Sequence, residues 1–313
     1  MLFTSIRLDI FTHLDSPITA EDLSKITSID EKKLDLLLMT LTSCGFIRRN
    51  NKTYENLDES RVFLSKNSEL YLGDSIIFRE EMTSLSNLGE RIKGGSSKKT
   101  SYDFVKLTKM TIPEMYSGRV QNFVQIVNSL YVDREYPLAV LDLGGGSGIL
   151  DIELMNSYLN GKAVVFDRSE VIVATDQIIK DRGAKRVFTA VGDFNTDSFD
   201  GTYDIVIASG ILNFVNIPME EFIEKISKVL KTDGHFIVVG QLSDKCDGIP
   251  PNILGWLSGY LEGLPLVPAH AGVIPDVCQP LSVCPPGPRT RGGDSDGLIW
   301  SNGNPRWSPH TRG

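Results

Sequence analysis

At 313 residues the chain is long enough to bury two hydrophobic cores, and 41% hydrophobic with 23% charged residues is an ordinary globular composition. A net charge of −8 argues against a nucleic-acid partner, which calls for a basic footprint. No apolar run approaches the roughly 18 residues of a membrane span, and Cys44, Cys246, Cys278 and Cys284 form no CxxC pair, so neither a zinc site nor a disulfide framework is expected.

The N-terminus carries Arg7, Asp9 and His13, which breaks any signal-peptide core and points to a cytoplasmic protein. Residues 1–93 read as a small helical domain. Leu8, Phe11 and Leu14 form one apolar face, Ala20, Leu23 and Ile26 a second, and Leu34, Leu37, Leu38 and Leu41 a third. Phe46-Ile47, the polar turn Asn50-Asn51-Lys52 and Tyr54 to Leu57 then read as a hairpin. Three helices and a hairpin are the order of a winged helix, a fold that reads DNA with its third helix. Residues 1–100 hold 14 Lys and Arg against 15 Asp and Glu, however, and the third helix is leucine-rich with Asp30, Glu31 and Asp35 beside Lys32 and Lys33. That helix lacks the cations that phosphates require, so packing against a partner subunit is the expectation.

Residues 94–134 read as a linker, polar at KGGSSKKT, followed by a long helix from Pro113 to about Val132. From 135 to 266 strands and helices alternate, as in an α/β fold with a doubly wound, mainly parallel sheet. The predicted strands are Leu138–Leu143, Ala163–Phe166, Arg186–Val191, Tyr203–Ala208 and His235–Gly240. A helix over Met219–Leu230 is predicted to stop at Lys231-Thr232-Asp233-Gly234, and another follows over Pro250–Leu264. Residues 267–313 change character: 8 Pro and 7 Gly occupy the 46 residues from Pro268, and no lysine occurs after Lys245. The composition is that of a disordered tail, or of a shifted or foreign reading frame, and no further sheet strands are predicted.

The nine residues Val140–Gly148 (VLDLGGGSG) carry the most chemistry. An apolar strand bearing Asp142 empties into three glycines, and Ser147 precedes a helix over Ile149 to Met155. Strand, side-chain-free turn and helix N-terminus make a cradle for a polar cofactor. The spacing is Asp142-x-Gly144-x-Gly146-x-Gly148; a dinucleotide fingerprint would need its third glycine at Ile149. Asp167 closes the second strand, 19 residues beyond Gly148, where an acid can accept both hydroxyls of an adenosine ribose or simply cap the next helix. Val191-Gly192-Asp193-Phe194 ends the third strand, with Asp193 a candidate polar contact or a plain turn residue. The fourth strand runs into Ser209-Gly210-Ile211-Leu212-Asn213-Phe214, and Leu230-Lys231-Thr232-Asp233-Gly234 leads into the fifth.

In this order the landmarks resemble the class I S-adenosylmethionine-dependent methyltransferases. With the winged-helix-like front half, residues 1–266 resemble the two-domain O-methyltransferases of the hydroxyindole and plant phenolic type. The resemblance implies S-adenosylmethionine as cofactor, a small-molecule acceptor, a homodimer through the N-terminal domain, and no metal, nucleic acid or membrane partner. It places Asp142, Gly144, Gly146 and Gly148 at the cofactor, with Gly144 and Gly146 beside its methionine part. Asp167 falls at the ribose, Asp193 with Phe194 at the adenine, and Ser209 at a further cofactor contact. Met115 and Tyr116 fall near the acceptor. The family's general base is a histidine after the fourth strand; that position here is Asn213, which cannot take a proton at neutral pH. The resemblance therefore implies methyl transfer to an aromatic or cyclic acceptor without that base, with C-methylation, cofactor binding without turnover, or a ligand-sensing regulator as the alternatives.

Overall fold

A computed structural model describes residues 1–82, 88–93, 103–240, 296–301 and 308–310. The chain forms two units, Met1–Ser84 with Met110–Ser117, and Leu85–Lys109 with Gly118–Gly313.

The first unit runs through helices α1 (Leu2–Arg7) and α2 (Ile10–His13), strand β1 (Ile18–Thr19), and helices α3 (Ala20–Thr27) and α4 (Glu31–Ser43). The hairpin β2 (Ile47–Asn50) and β3 (Thr53–Asn56) follows, then α5 (Asp58–Leu64) and α6 (Gly73–Met82). Local signals start its helices: the Thr19 hydroxyl accepts the Asp22 N–H at 3.1 Å, and the Asp30 carboxylate accepts that of Lys33 at 3.0 Å. Leu34, Leu38 and Leu41 recur at helical spacing and are fully buried with Ile10, Phe11, Leu14 and Leu23. The hairpin turns at Asn51, whose φ of 54° a short polar side chain tolerates. β3 pairs antiparallel with both β1 and β2.

The second unit adds α7 (Leu88–Ile92), α8 (Phe104–Met110, counted here to Lys109) and α9 (Val120–Leu130). The sheet domain then follows: β4 (Ala139–Leu143), α10 (Ile149–Ser157), β5 (Lys162–Asp167), α11 (Ser169–Asp181), β6 (Val187–Val191), β7 (Tyr203–Ser209), α12 (Met219–Val229) and β8 (Leu230–Gly240). Its strand order is β6-β5-β4-β7-β8, all parallel, extended by β9 (Asp296–Ser301) and β10 (Ser308–His310). Every residue of β4 is buried, as a central parallel strand requires.

Three expectations are corrected. The long helix expected over 113–132 is broken: Met115–Arg119 forms a π-helical turn in which Gly118 has φ of 141°, outside helical space, and only Val120–Leu130 continues as an α-helix. Lys231-Thr232-Asp233-Gly234 does not separate α12 from the fifth strand. Instead β8 begins at Leu230 with a register irregularity, and Asp233 at φ of 60° absorbs the bend. The sheet also does not end at β8. β9 lies antiparallel along it, with Phe236 opposite Trp300 and Val238 opposite Leu298, and β10 returns against β9. The run Gly-Leu-Ile-Trp has strand-forming residues but is too short to stand out from a Pro/Gly-rich surround. The helix expected over 250–264, and the disorder expected over 267–295, lie outside the described residues.

Candidate active site

Parallel strands present their C-terminal ends as one edge, and the crevice there is where such sheets place ligands. β4 turns at this edge through three glycines with positive φ: Gly144 (61°), Gly146 (55°) and Gly148 (65°). Gly144 is closed to any side chain, since a Cβ would stand 2.6 Å from Ile211 Cγ2 and 3.5 Å from the Phe194 ring. At Gly146 the nearest atom to such a Cβ would be the Thr108 hydroxyl at 3.7 Å, so this part of the turn is open. The Thr175 hydroxyl on α11 donates to the Gly146 carbonyl and fixes the turn from behind.

Asp167 at the end of β5 is tied to the same turn. Its Oδ2 accepts the Gly146 N–H at 3.1 Å and its Oδ1 the Arg168 N–H at 2.8 Å. Burial raises its pKa, although both backbone bonds oppose the rise. One β-strand over, Gly192 passes so close to the Phe166 ring that a Cβ would overlap it at 2.2 Å. Asp193 follows, and its Oδ1 accepts from the Asn195 backbone N–H at 2.8 Å and side-chain amide at 3.1 Å. The residue therefore shapes its own turn with one oxygen. Phe194 packs edge-on against Phe222, and its carbonyl accepts from Lys225 at 2.7 Å.

β7 delivers the remaining positions. Leu143 pairs with Ala208, which sets Ser209 level with the start of the glycine turn. The Ser209 Oγ is buried and has no hydrogen-bond partner among the described residues. Gly210, at φ of 72°, turns the chain into a 3₁₀ turn over Leu212–Phe214. Asn213 is half-buried, and its amide bonds to none of the described residues. Asn195 braces this turn, donating to the Phe214 carbonyl at 3.3 Å and accepting the Asn216 N–H at 2.8 Å.

Sequence reading missed α8. Phe104 lies under the Arg168 guanidinium, 4.4 Å from its ring centre, and meets Phe214 edge-on at 5.6 Å. It thus bridges the residue after Asp167 and the residue after Asn213, while Thr108 of the same helix approaches Gly146. No motif marks these residues, because only the tertiary approach of α8 brings them to the sheet edge. The structure gathers Asp142, Gly144, Gly146, Gly148, Asp167, Asp193, Phe194, Ser209 and Asn213 at the ends of β4 to β7. Met115 and Tyr116 stand in the π-helical turn of the first unit. Among the described residues no group of three or more His, Cys, Asp or Glu side chains is placed to hold a metal ion, and no helix is long and apolar enough to cross a membrane.

The model of O-methyltransferase dimerisation domains matches residues 1–66, and that of a methyltransferase domain matches residues 136–247. An uncharacterized protein of Methanocaldococcus jannaschii is 28% identical over 274 residues, covering 84% of this chain and 73% of that protein. Acetylserotonin O-methyltransferase of Bos taurus is 22% identical over 278 residues, covering 80% of this chain and 78% of that enzyme. The crystal structure of human N-acetylserotonin methyltransferase in complex with S-adenosylmethionine superposes with a TM-score of 0.66 at 19% identity. It covers 83% of this chain and 81% of its own.

Proposed function

The chain joins an O-methyltransferase dimerisation domain to a methyltransferase domain and belongs to the S-adenosylmethionine-dependent methyltransferases; on that premise we propose that it methylates a small aromatic or cyclic acceptor that is already nucleophilic. Bound S-adenosylmethionine supplies a sulfonium methyl group that an aligned nucleophile can take directly.

The donor set suits a nucleoside bearing an amino-acid tail. Asp167, held by two backbone N–H groups, keeps acceptor capacity for the ribose hydroxyls. The second oxygen of Asp193 is left for the adenine amino group, and Phe194 offers the adjacent ring face. Gly144 and Gly146 let the methionine part approach the backbone, and the orphaned Ser209 hydroxyl is a ready donor or acceptor beside them.

The observation that carries the acceptor reading is Asn213. Among the described residues its amide has no partner, at the position of the family's base, so it can orient a hydroxyl or an enolate but cannot deprotonate one. A general base contributes about 10²–10⁴ in rate, and an acceptor that ionises by itself does not need it. Phenols of low pKa and stabilised carbon acids are therefore the expected acceptors, which keeps C-methylation as a second reading with the same support.

Two measurements test this. S-adenosylmethionine titrated calorimetrically into the protein is expected to bind stoichiometrically, and a panel of acidic phenols and carbon acids should include a methylated product. Asn213→His is expected to extend turnover to less acidic phenols. Binding without any methylation would reduce the protein to a cofactor binder, and no binding would dismiss the site.

The dimerisation-domain match also supports a homodimer. α4 leaves Leu36 (64%) and Met39 (45%) exposed, with Ile26 of α3 at 57%, a waste of apolar surface unless a second copy covers it.

A further inference from the structure

Asn195 lies between the two halves of the site and has no part in the function proposed above. It stands two residues after Asp193 and is half-buried. Its backbone N–H donates to Asp193 Oδ1 at 2.8 Å, and its side-chain amide donates to the same oxygen at 3.1 Å. That amide also donates to the Phe214 carbonyl at 3.3 Å, while its own oxygen accepts the Asn216 N–H at 2.8 Å. Phe214 closes the 3₁₀ turn whose middle residue is Asn213. One side chain therefore joins the proposed adenine acid to the turn at the position of the family's base.

These bonds dictate the residue type. Asp193 Oδ1 and the Phe214 carbonyl take donors and the Asn216 N–H takes an acceptor, so one orientation of the amide serves all three. An ionised Asp would offer no donor there, and Thr only one. The loop itself is held by separate bonds. The Asp193 N–H donates to Asp197 Oδ2 at 2.9 Å, and Lys225 of α12 donates to the Phe194 carbonyl at 2.7 Å. Those bonds fix the loop but do not reach the Asn213 turn, as Asn195 does. Hydrogen bonds in a chain order one another. An adenine amino group on Asp193 Oδ2 restrains the carboxylate, the carboxylate restrains the Asn195 amide, and the amide restrains Phe214 and Asn216.

We propose that Asn195 is a positioning residue that couples the two halves of the site: a cofactor bound at Asp193 sets, through the Asn195 amide, the turn that presents Asn213 to the acceptor. The proposal rests on Asp193 being the adenine contact. Its consequence is an order of events, in which the cofactor binds first and prepares the acceptor side.

Amide hydrogen exchange of the full-length protein, with and without saturating S-adenosylmethionine, tests it. In wild type the cofactor should slow exchange at the Asn216 N–H by about fivefold or more. Asn195→Ala loses the side-chain bonds but keeps the backbone bond to Asp193. It should still bind S-adenosylmethionine within roughly fivefold of wild type, while the slowing at Asn216 vanishes. A bond with a purely structural role would protect Asn216 equally with and without cofactor. Asn195→Asp keeps the size and loses the donors toward Asp193 and Phe214; it should also lose the slowing, and it decides the matter if Asn195→Ala fails to fold. Cofactor-bound wild type with no added protection, or undiminished added protection in either variant, overturns the coupling alone. If Asp193→Ala binds S-adenosylmethionine as tightly as wild type, or wild type binds none, the adenine reading fails and the coupling falls with it.

Discussion

Gly144 shows most sharply how one residue ties backbone to ligand. Its φ of 61° costs an L-residue about 1–2 kcal/mol, and the 2.6 Å approach of Ile211 Cγ2 adds a steric conflict with a packed side chain. Gly144→Ala is expected to lower stability by roughly 2–4 kcal/mol and to abolish cofactor binding, read by denaturant unfolding and calorimetry. Unchanged binding would mean the turn does not meet the cofactor. Asp167→Ala removes two charge-assisted hydrogen bonds to a ribose and should weaken S-adenosylmethionine by about 2–4 kcal/mol; an unaltered dissociation constant would sink that assignment. These residues are legible in sequence because glycine spacing and an acid at a strand end are local patterns. Phe104, Thr108 and Thr175 are not, since a phenylalanine or threonine at those places reads equally as helix packing.

At the scale of elements, α4 and α9 make different demands. The buried stripe of α4 (Leu34, Leu38, Leu41) explains its core side, but Leu36 and Met39 lie outside that stripe and exposed. Leu36→Glu combined with Met39→Glu should leave the fold intact and convert a dimer to a monomer in light scattering; a dimer that persists would move the interface elsewhere. The end of α9 is fastened to the sheet by Tyr131, whose hydroxyl donates to the Asp204 carbonyl at 2.9 Å and lies 3.0 Å from His235 Nδ1. Burial lowers the His235 pKa, so the folded chain binds fewer protons there than the unfolded chain just below the ordinary histidine range. This contribution to stability is present above the unfolded pKa and is lost as pH falls through the folded one. The urea midpoint should accordingly drop from about pH 7 to about pH 5, and His235→Gln should flatten that drop; an identical slope in the variant would exclude His235 as its source. The strands around this fastening were readable as continuous apolar runs. The break at Met115–Arg119 was not, because the apolar spacing of 115–127 continues helically across Gly118 and hides the kink.

For the whole molecule, the informative strand is β9. All proposed cofactor positions sit on β4 to β7 and their loops, with β8 standing between them and the last antiparallel pair. Removing everything after Leu266 would strip β9 and β10 and expose the backbone of β8, from His235 to Gly240, as an open edge. Tail composition alone argued that nothing there was structural, since a six-residue strand amid prolines and glycines gives no periodic signal; the ladder to β8 depends on partners some sixty residues away in sequence. The two views separate cleanly in one construction. If β9 completes the sheet, the shortened chain should hold S-adenosylmethionine within about threefold of the full chain, because β4 to β7 are untouched. It should nevertheless melt lower, by roughly 2–4 °C for each kcal/mol of lost pairing, and self-associate through the exposed edge as concentration rises. An unchanged melting temperature with no concentration-dependent association would show that β8 needs no cover, and that the sheet ends functionally at its fifth strand.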